Sequence, residues 1–370
     1  MQINNKAYIT TTSLSCCAGD NELELFSNIC DGISGIKTDS TYFNNTPVAI
    51  GKIKSDLNFF DNLVSKCGEI LLKSNLDNFN NTLLVIGSSV GGINITENIY
   101  FGEGDYKNID PNYHNINTIQ NILEQKFTFK DGISFSTACT SSANALGYAY
   151  EVITKGIYSN VLVIGVDALS QTTVGGFLSL GVLSSNPCKP FDVNRDGMNV
   201  AEAMACLLIQ SKVTNNSVEI CGVGYSSDAY HMTHPHPEGL GAKKAMENAL
   251  EMANITKEQI DYINAHGTGT QANDSAEEKA IESLFGGIPC VSSTKSITGH
   301  TLGASGALEA IICKLVLENN LIPTNTFLET EENKNIDLVM KNIQQNINYV
   351  MSNSFAFGGN NCSLVFGKVQ

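Results

Sequence analysis

Positive charge is in short supply in this 370-residue sequence. Lys and Arg together number 22 against 37 Asp and Glu, the formal net charge is −15, and Arg195 is the one arginine. A basic nucleic-acid-binding face is not assembled from such a balance, and an acidic protein partner would have to meet a local lysine patch. Long apolar runs are missing as well. None reaches the roughly 18 residues that a membrane-spanning helix needs. The start MQINNKAYITTTS lacks both the basic and the apolar stretch of a secretory leader, so a soluble cytoplasmic protein is expected. CxxC pairs are absent too: the eleven cysteines, at 16, 17, 30, 67, 139, 188, 206, 221, 290, 313 and 362, are odd in number and scattered. That spacing offers neither a disulfide framework nor a zinc cluster, and most of these thiols read as small core residues.

What the sequence does hold is alternation. Hydrophobic residues make up 42% and charged residues 16%, and the length allows two domains or one large fold built from two halves. Residues 6–12 read as a strand, 22–31 as an amphipathic helix, 37–60 as loops without a clear period, and 61–73 as a helix. TLLVIG, 82–87, reads as a buried strand ending in a glycine turn. Runs at 133–137 and 161–169 flank a helix over 143–153, which makes a βαβ unit with parallel strands. After the polar break near residue 213 the alternation begins again. Strands are expected at 218–225, 261–265, 289–292, 346–354 and 362–368, and helices at 239–253, 275–285 and 302–317. An α/β protein of two halves follows, 1–212 and 213–370.

One cysteine stands apart. In GISFSTACTSSANALGYAYEVI, residues 132–153, Cys139 falls at the turn between strand and helix. A thiol at a helix N-terminus feels unpaired backbone N–H groups and the positive dipole end, which lower its pKa. Such a turn also aims backbone N–H groups at the atom attacked. Free cysteine is among the most buried residue types, so packing is the plain alternative for any one thiol. Three further strand ends carry notable side chains: His266 in NAHGTGT, Lys295 and His300 in STKSITGH, and Phe357 in NSFAFGG. Ligand sites of open α/β sheets gather outside such ends. Arg195, between Asp192 and Asp196, reads as an ion pair pinning its turn.

With STACTSS, PFDVNRDG, SSDAYHMT, NAHGTGTQANDSAE, STKSITGHTLGASGALEA and NSFAFGGNN in order over nearly the full length, the sequence resembles the β-ketoacyl-[acyl-carrier-protein] synthases. The elongating, synthase II-like branch of these thiolase-fold condensing enzymes fits best. The resemblance implies a thiolase-like fold with two similar βαβ halves in an α-β-α-β-α layering. It implies that Cys139 takes an acyl group from a carrier protein and that malonyl-carrier-protein then loses CO2 and attacks the thioester. Backbone N–H groups of Cys139 and Phe357 would form the oxyanion hole, and His266 and His300 would polarise the malonyl thioester. Lys295 and Glu309 would be a supporting pair, Thr268 and Thr270 would bind the pantetheine arm, and Phe357 would be a gate. Phe177 and Phe355 would line the substrate site. No resident cofactor or metal is implied, because the phosphopantetheine arrives on the acyl carrier protein. A homodimer is expected, through the 161–169 strand, with a heterodimer of homologous subunits as the variant; neither nucleic acid nor membrane is a partner.

Departures from the pattern are few. Little room is left between Lys54 and Thr82 for carrier-docking lysines, the segment after the RDG turn reads MNVAEAMA, and Ala356 stands where glycine is common. HMTHPHPEG adds His234 and His236 to His231. An HxxHxH metal site, and with it a metal-dependent hydrolase, is the rival reading of that cluster. A non-catalytic chain-length-factor subunit shares the fold, but retention of Cys139, His266, Lys295 and His300 argues against it.

Overall fold

The chain builds one strand set twice. In the computed structural model, which describes residues 5–43 and 46–369, the first half opens with β1 (Ala7–Cys16), α1 (Glu22–Asp31), β2 (Lys37–Phe43), β3 (Thr46–Ile50) and α2 (Phe59–Lys73). It continues with β4 (Leu83–Gly87), α3 (Ile93–Glu103), α4 (Asn117–Glu124), β5 (Asp131–Phe135), α5 (Ser141–Thr154), β6 (Asn160–Asp167), α6 (Gln171–Ser179) and β7 (Ala203–Gln210). The second half runs β8 (Val218–Ser227), α7 (Leu240–Ala253), β9 (Tyr262–Asn264), α8 (Gln271–Phe285), β10 (Cys290–Ser292), α9 (Lys295–Thr298) and α10 (Ser305–Asn319). Short strands β11 (Leu321–Ile322), β12 (Asp337–Leu338) and β13 (Ile343–Gln344) lead to β14 (Tyr349–Phe355) and β15 (Asn360–Lys368).

The spatial orders are β1-β7-β6-β4-β5 and β8-β15-β14-β9-β10. In both, the first two neighbouring pairs are antiparallel and the last two parallel. A short ladder of β1 on β8, Ala7↔Ile220 to Ile9↔Val218, joins the halves edge to edge. Helices α5 and α10 touch each other and strands of both halves, which makes them the middle layer. On the outer faces, α2 and α4 cover the first strand set and α7 covers the second, with α8 packed beside it. Three apolar clusters fill the spaces between these layers. The architecture is the thiolase-like α-β-α-β-α layering.

The middle layer is unusually apolar. Every residue of α10 from Ser305 to Leu317 is buried, as befits a helix with protein on all sides. Small residues let it approach α5: a Cβ placed on Gly306 would lie 2.6 Å from the Ala143 nitrogen.

Three expectations are corrected. Residues 37–43 and 46–50 pair as a hairpin, β2 with β3, whose Val48, Ala49 and Ile50 are buried; three consecutive buried residues leave β3 no alternation to read. Residues 295–298, given no helix in the sequence pattern, form the short α9. β6 cannot carry a subunit interface, because it pairs with β4 on one side and β7 on the other along its length. The free edge of the first half is β5, whose Asp131, Gly132 and Ile133 are exposed.

Candidate active site

Cys139 sits between β5 and α5, where the chain turns sharply. Ala138 adopts φ +53°, a left-handed conformation that stores strain in any residue with a Cβ. Local hydroxyls brace the turn: Thr140 Oγ1 donates to the Thr137 carbonyl at 2.7 Å, Ser141 Oγ to the Ala138 carbonyl at 2.6 Å, and Thr137 N–H to Ser141 Oγ at 3.0 Å. Asn144 closes the set with a 2.8 Å bond from Nδ2 to Thr137 Oγ1.

The second half delivers its groups to the same point. His300 stands between α9 and α10 with its backbone N–H bonded to the Asn199 carbonyl at 2.7 Å. Its Nε2 lies 3.0 Å from Cys139 Sγ and its Nδ1 3.0 Å from Ser305 Oγ. The His266 ring meets the His300 ring edge to face at 5.3 Å and Phe355 at 6.0 Å. His266 Nδ1 is buried without a hydrogen-bond partner among the described residues. Lys295 opens α9, is 1% exposed, and is ion-paired to the equally enclosed Glu309. Asn264 and Ser352, opposite each other on β9 and β14, carry buried side-chain atoms without partners, as does Glu309 through Oε2.

Electrostatics correct the expected thiolate. Burial pushes the Cys139 thiol up to about 12, against the pull of the Lys295 charge and of the Phe357 and Cys139 backbone N–H groups. The helix end is present, yet desolvation outweighs it. Burial, with Lys295 nearby, holds His266 and His300 well below the usual histidine range. The thiol and the two imidazoles are therefore neutral together at pH 7.

Sequence reasoning passed over the carboxylates that shape the histidine loop. Glu277 on α8 accepts the His266 and Gly267 N–H groups, both at 2.8 Å, and burial raises it to about 7. Asp274 accepts from Thr268, Gly269 and Phe191. Their signal was the pair of acids in QANDSAE, 8 and 11 positions after His266. Asp167, at the end of β6, ties the 88–90 turn to Gly303 through bonds from Ser88, Ser89, Val90 and Gly303 at 2.5 to 3.1 Å.

Arg195 also differs from expectation. Its ion pairs go to Asp274 (3.7 Å) and Glu332 (2.6 Å), and it reaches Asp192 only through the carbonyl. The Asp192 carboxylate is occupied by the N–H groups of Asn194, Glu329 and Thr330. The lone arginine thus braces the Asp274 loop from behind, outside the chamber.

A cavity of about 330 Å³ opens over the thiol and is lined by Cys139, His266, His300, Thr268, Thr270, Phe177, Phe355 and Phe357. Thr268 and Thr270 are 2.9 Å apart through their hydroxyls. Phe177 faces Phe357 at 6.0 Å. Gly358 and Gly359, at φ +86° and +79°, form a turn that residues with a Cβ rarely adopt. His231 and His234 sit at the mouth, while His236 turns away: its Nδ1 accepts the Glu238 N–H at 3.2 Å and its ring packs on Tyr230. Among the described residues no group of three or more His, Cys, Asp or Glu is arranged to hold a metal ion, and no helix is long and apolar enough to cross a membrane.

A thiol at a strand-to-helix turn facing two histidines and a buried Lys–Glu pair on a thiolase-like fold defines a condensing enzyme. The profile of the β-ketoacyl synthase N-terminal domain matches residues 63–215 and that of the C-terminal domain residues 217–329. A 3-oxoacyl-[acyl-carrier-protein] synthase 2 from Coxiella burnetii is 37% identical over 80% of this chain and 78% of its own. The protein so described from Staphylococcus aureus strain COL is 38% identical over 63% of this chain and 61% of its own. A ketosynthase (ApeO) solved in complex with its chain length factor from Xenorhabdus doucetiae superposes with a TM-score of 0.88 at 31% identity, covering 99% of this chain and 98% of that one. The chain belongs to the β-ketoacyl synthase family. It is an acyltransferase of the elongating type, which joins an acyl thioester to a malonyl thioester with loss of CO2.

Proposed function

We propose that Cys139 carries the acyl group and that His266 and His300 divide the remaining work. The observation that carries this is the 3.0 Å contact between Cys139 Sγ and His300 Nε2. In acyl transfer, the sulfur attacks the incoming thioester carbon as its proton passes to Nε2. The oxyanion falls to the Cys139 and Phe357 N–H groups, and the departing thiol takes the proton back. Ser305 Oγ can accept from or donate to Nδ1, which lets His300 change tautomer between steps. In condensation, the malonyl C–C bond breaks and its electrons move onto the thioester oxygen, held by Nε2–H of His266 and of His300. The enolate carbon then attacks the acyl-Cys139 carbonyl and the sulfur leaves.

Thr268 and Thr270 would hold the pantetheine arm that arrives on an acyl carrier protein, so the enzyme needs no resident cofactor. Phe177, Phe355 and Phe357 would guide the acyl chain. Lys66, between Lys54 and Thr82, is buried and committed to Asp20 and Glu69, so it is not free to meet a carrier. A homodimer paired through the β5 edge in the cytoplasm, serving fatty-acid or polyene and polyketide assembly, completes the proposal.

The test is intact-mass acylation beside radiolabelled CO2 release from malonyl-carrier-protein. Cys139→Ala should lose acylation and keep CO2 release. His266→Ala should lose CO2 release by roughly 100-fold and keep acylation, by analogy with the loss of an oxyanion donor. His300→Ala should lose both. CO2 release abolished by Cys139→Ala and untouched by His266→Ala would refute the division.

A further inference from the structure

Residues 228–236, which close the mouth of the chamber, are tied to the gate turn at three points. Asp228 N–H donates to the Gly359 carbonyl at 2.9 Å, Gly358 N–H to the Met232 carbonyl at 2.8 Å, and Asn361 Nδ2 to Asp228 Oδ1 at 2.7 Å. His231 and His234 flank that Met232 contact. Their Nδ1 atoms face each other at 3.1 Å, with the rings 4.8 Å apart. The Thr233 hydroxyl lies 3.0 Å from Nδ1 of His234 and 3.3 Å from Nδ1 of His231. Two ring nitrogens and a hydroxyl oxygen thus surround one point. Both rings line the reaction chamber on one side and an outer groove with Lys279 on the other.

Two imidazole nitrogens 3.1 Å apart share a proton or an ion. His231 Nδ1 also accepts the Thr233 N–H at 3.1 Å, so the shared proton sits on His234, and an ion taking the His231 lone pair displaces that N–H. A metal ion replacing that proton at about 2.1 Å from each nitrogen would see them at roughly 95°, between the octahedral and tetrahedral ideals. His236 is not a third ligand, being held by Glu238 and Tyr230.

We propose that His231 and His234, with the Thr233 hydroxyl, chelate a divalent late-transition-metal ion at the chamber mouth, and that the bound ion holds residues 228–236 against the gate. The ion fixes both rings, and between them the carbonyl that anchors Gly358. Water fills its other positions. Imidazole pairs suit Ni²⁺ and Zn²⁺, and Ni²⁺ does not oxidise thiols. The second half of the proposal rests on the condensing-enzyme reading; the chelate itself does not.

The experiment titrates Ni²⁺ and Zn²⁺ calorimetrically into the full chain with Cys139 carbamidomethylated, which removes that thiol as a ligand. One equivalent should bind, at least tenfold more weakly after His231→Ala or His234→Ala and unchanged after His236→Ala, with thermal melts confirming that each variant folds. Binding unaffected by both of the first two changes would overturn the chelate. On unmodified protein, one equivalent of Ni²⁺ should slow acyl loading several-fold, and should not slow His234→Ala relative to its own metal-free rate. Metal binding with undisturbed loading would overturn the gate-holding half. A parental protein that binds metal and never loads an acyl group would refute the condensing reading and leave the chelate standing.

Discussion

Cys139 and His300 face each other as a neutral thiol and a neutral imidazole. An ion pair would place imidazolium beside the Lys295 charge in a site that water barely reaches, and both effects oppose it. In the proposed mechanism the thiol therefore surrenders its proton during attack. Alkylation of Cys139 by iodoacetamide should rise about tenfold per pH unit between pH 7 and 9, because only the thiolate reacts and its fraction grows at that rate well below a pKa near 12. Intact-mass kinetics measure this, and a rate already level at pH 7 would reveal a preformed ion pair. The sequence placed Cys139 at its turn, since strand and helix patterns flank it locally. Its protonation was hidden, because the groups that meet it, His300 and Phe357, lie more than 150 residues away. Arg195 was misread for a similar reason: the nearest acids along the chain, Asp192 and Asp196, are not the nearest in space.

At the scale of elements, α5, which follows Cys139, packs against α10, which follows His300. Gly306 of α10 lies against Ala143 of α5, and Ala307 N–H bonds to Ser142 Oγ at 2.9 Å. Gly306→Val should cost about 1–3 kcal/mol of stability through overpacking. It should also slow acyl loading by pushing His300 from Cys139. Urea unfolding and intact-mass loading would show both; unchanged loading would mean that the helix contact does not position the base. The long helices were legible within a few residues of their ends, because their apolar spacing is sustained. The β2–β3 hairpin and the four-residue α9 offer too few periods to read, and tertiary contacts fix them instead.

For the molecule as a whole, β5 is the exposed edge of the first strand set and the natural place for a second subunit. Sedimentation at micromolar concentration should find a dimer for the parental chain and a monomer for Ile133→Lys, which would set like charges together along a symmetric edge. A parental monomer, or a dimer indifferent to this change, would remove β5 from the interface.

The repeated strand order has a mechanical corollary. Cys139 follows the third strand of one set, β5, and His300 follows α9 beyond the third strand of the other, β10, so the two partners occupy matching posts on opposite sides of a pseudo-symmetric pair. Neither post is covalently close to the other. Their 3.0 Å separation is thus a vernier between the halves: a slide of one strand set against the other registers first at the gap between sulfur and imidazole.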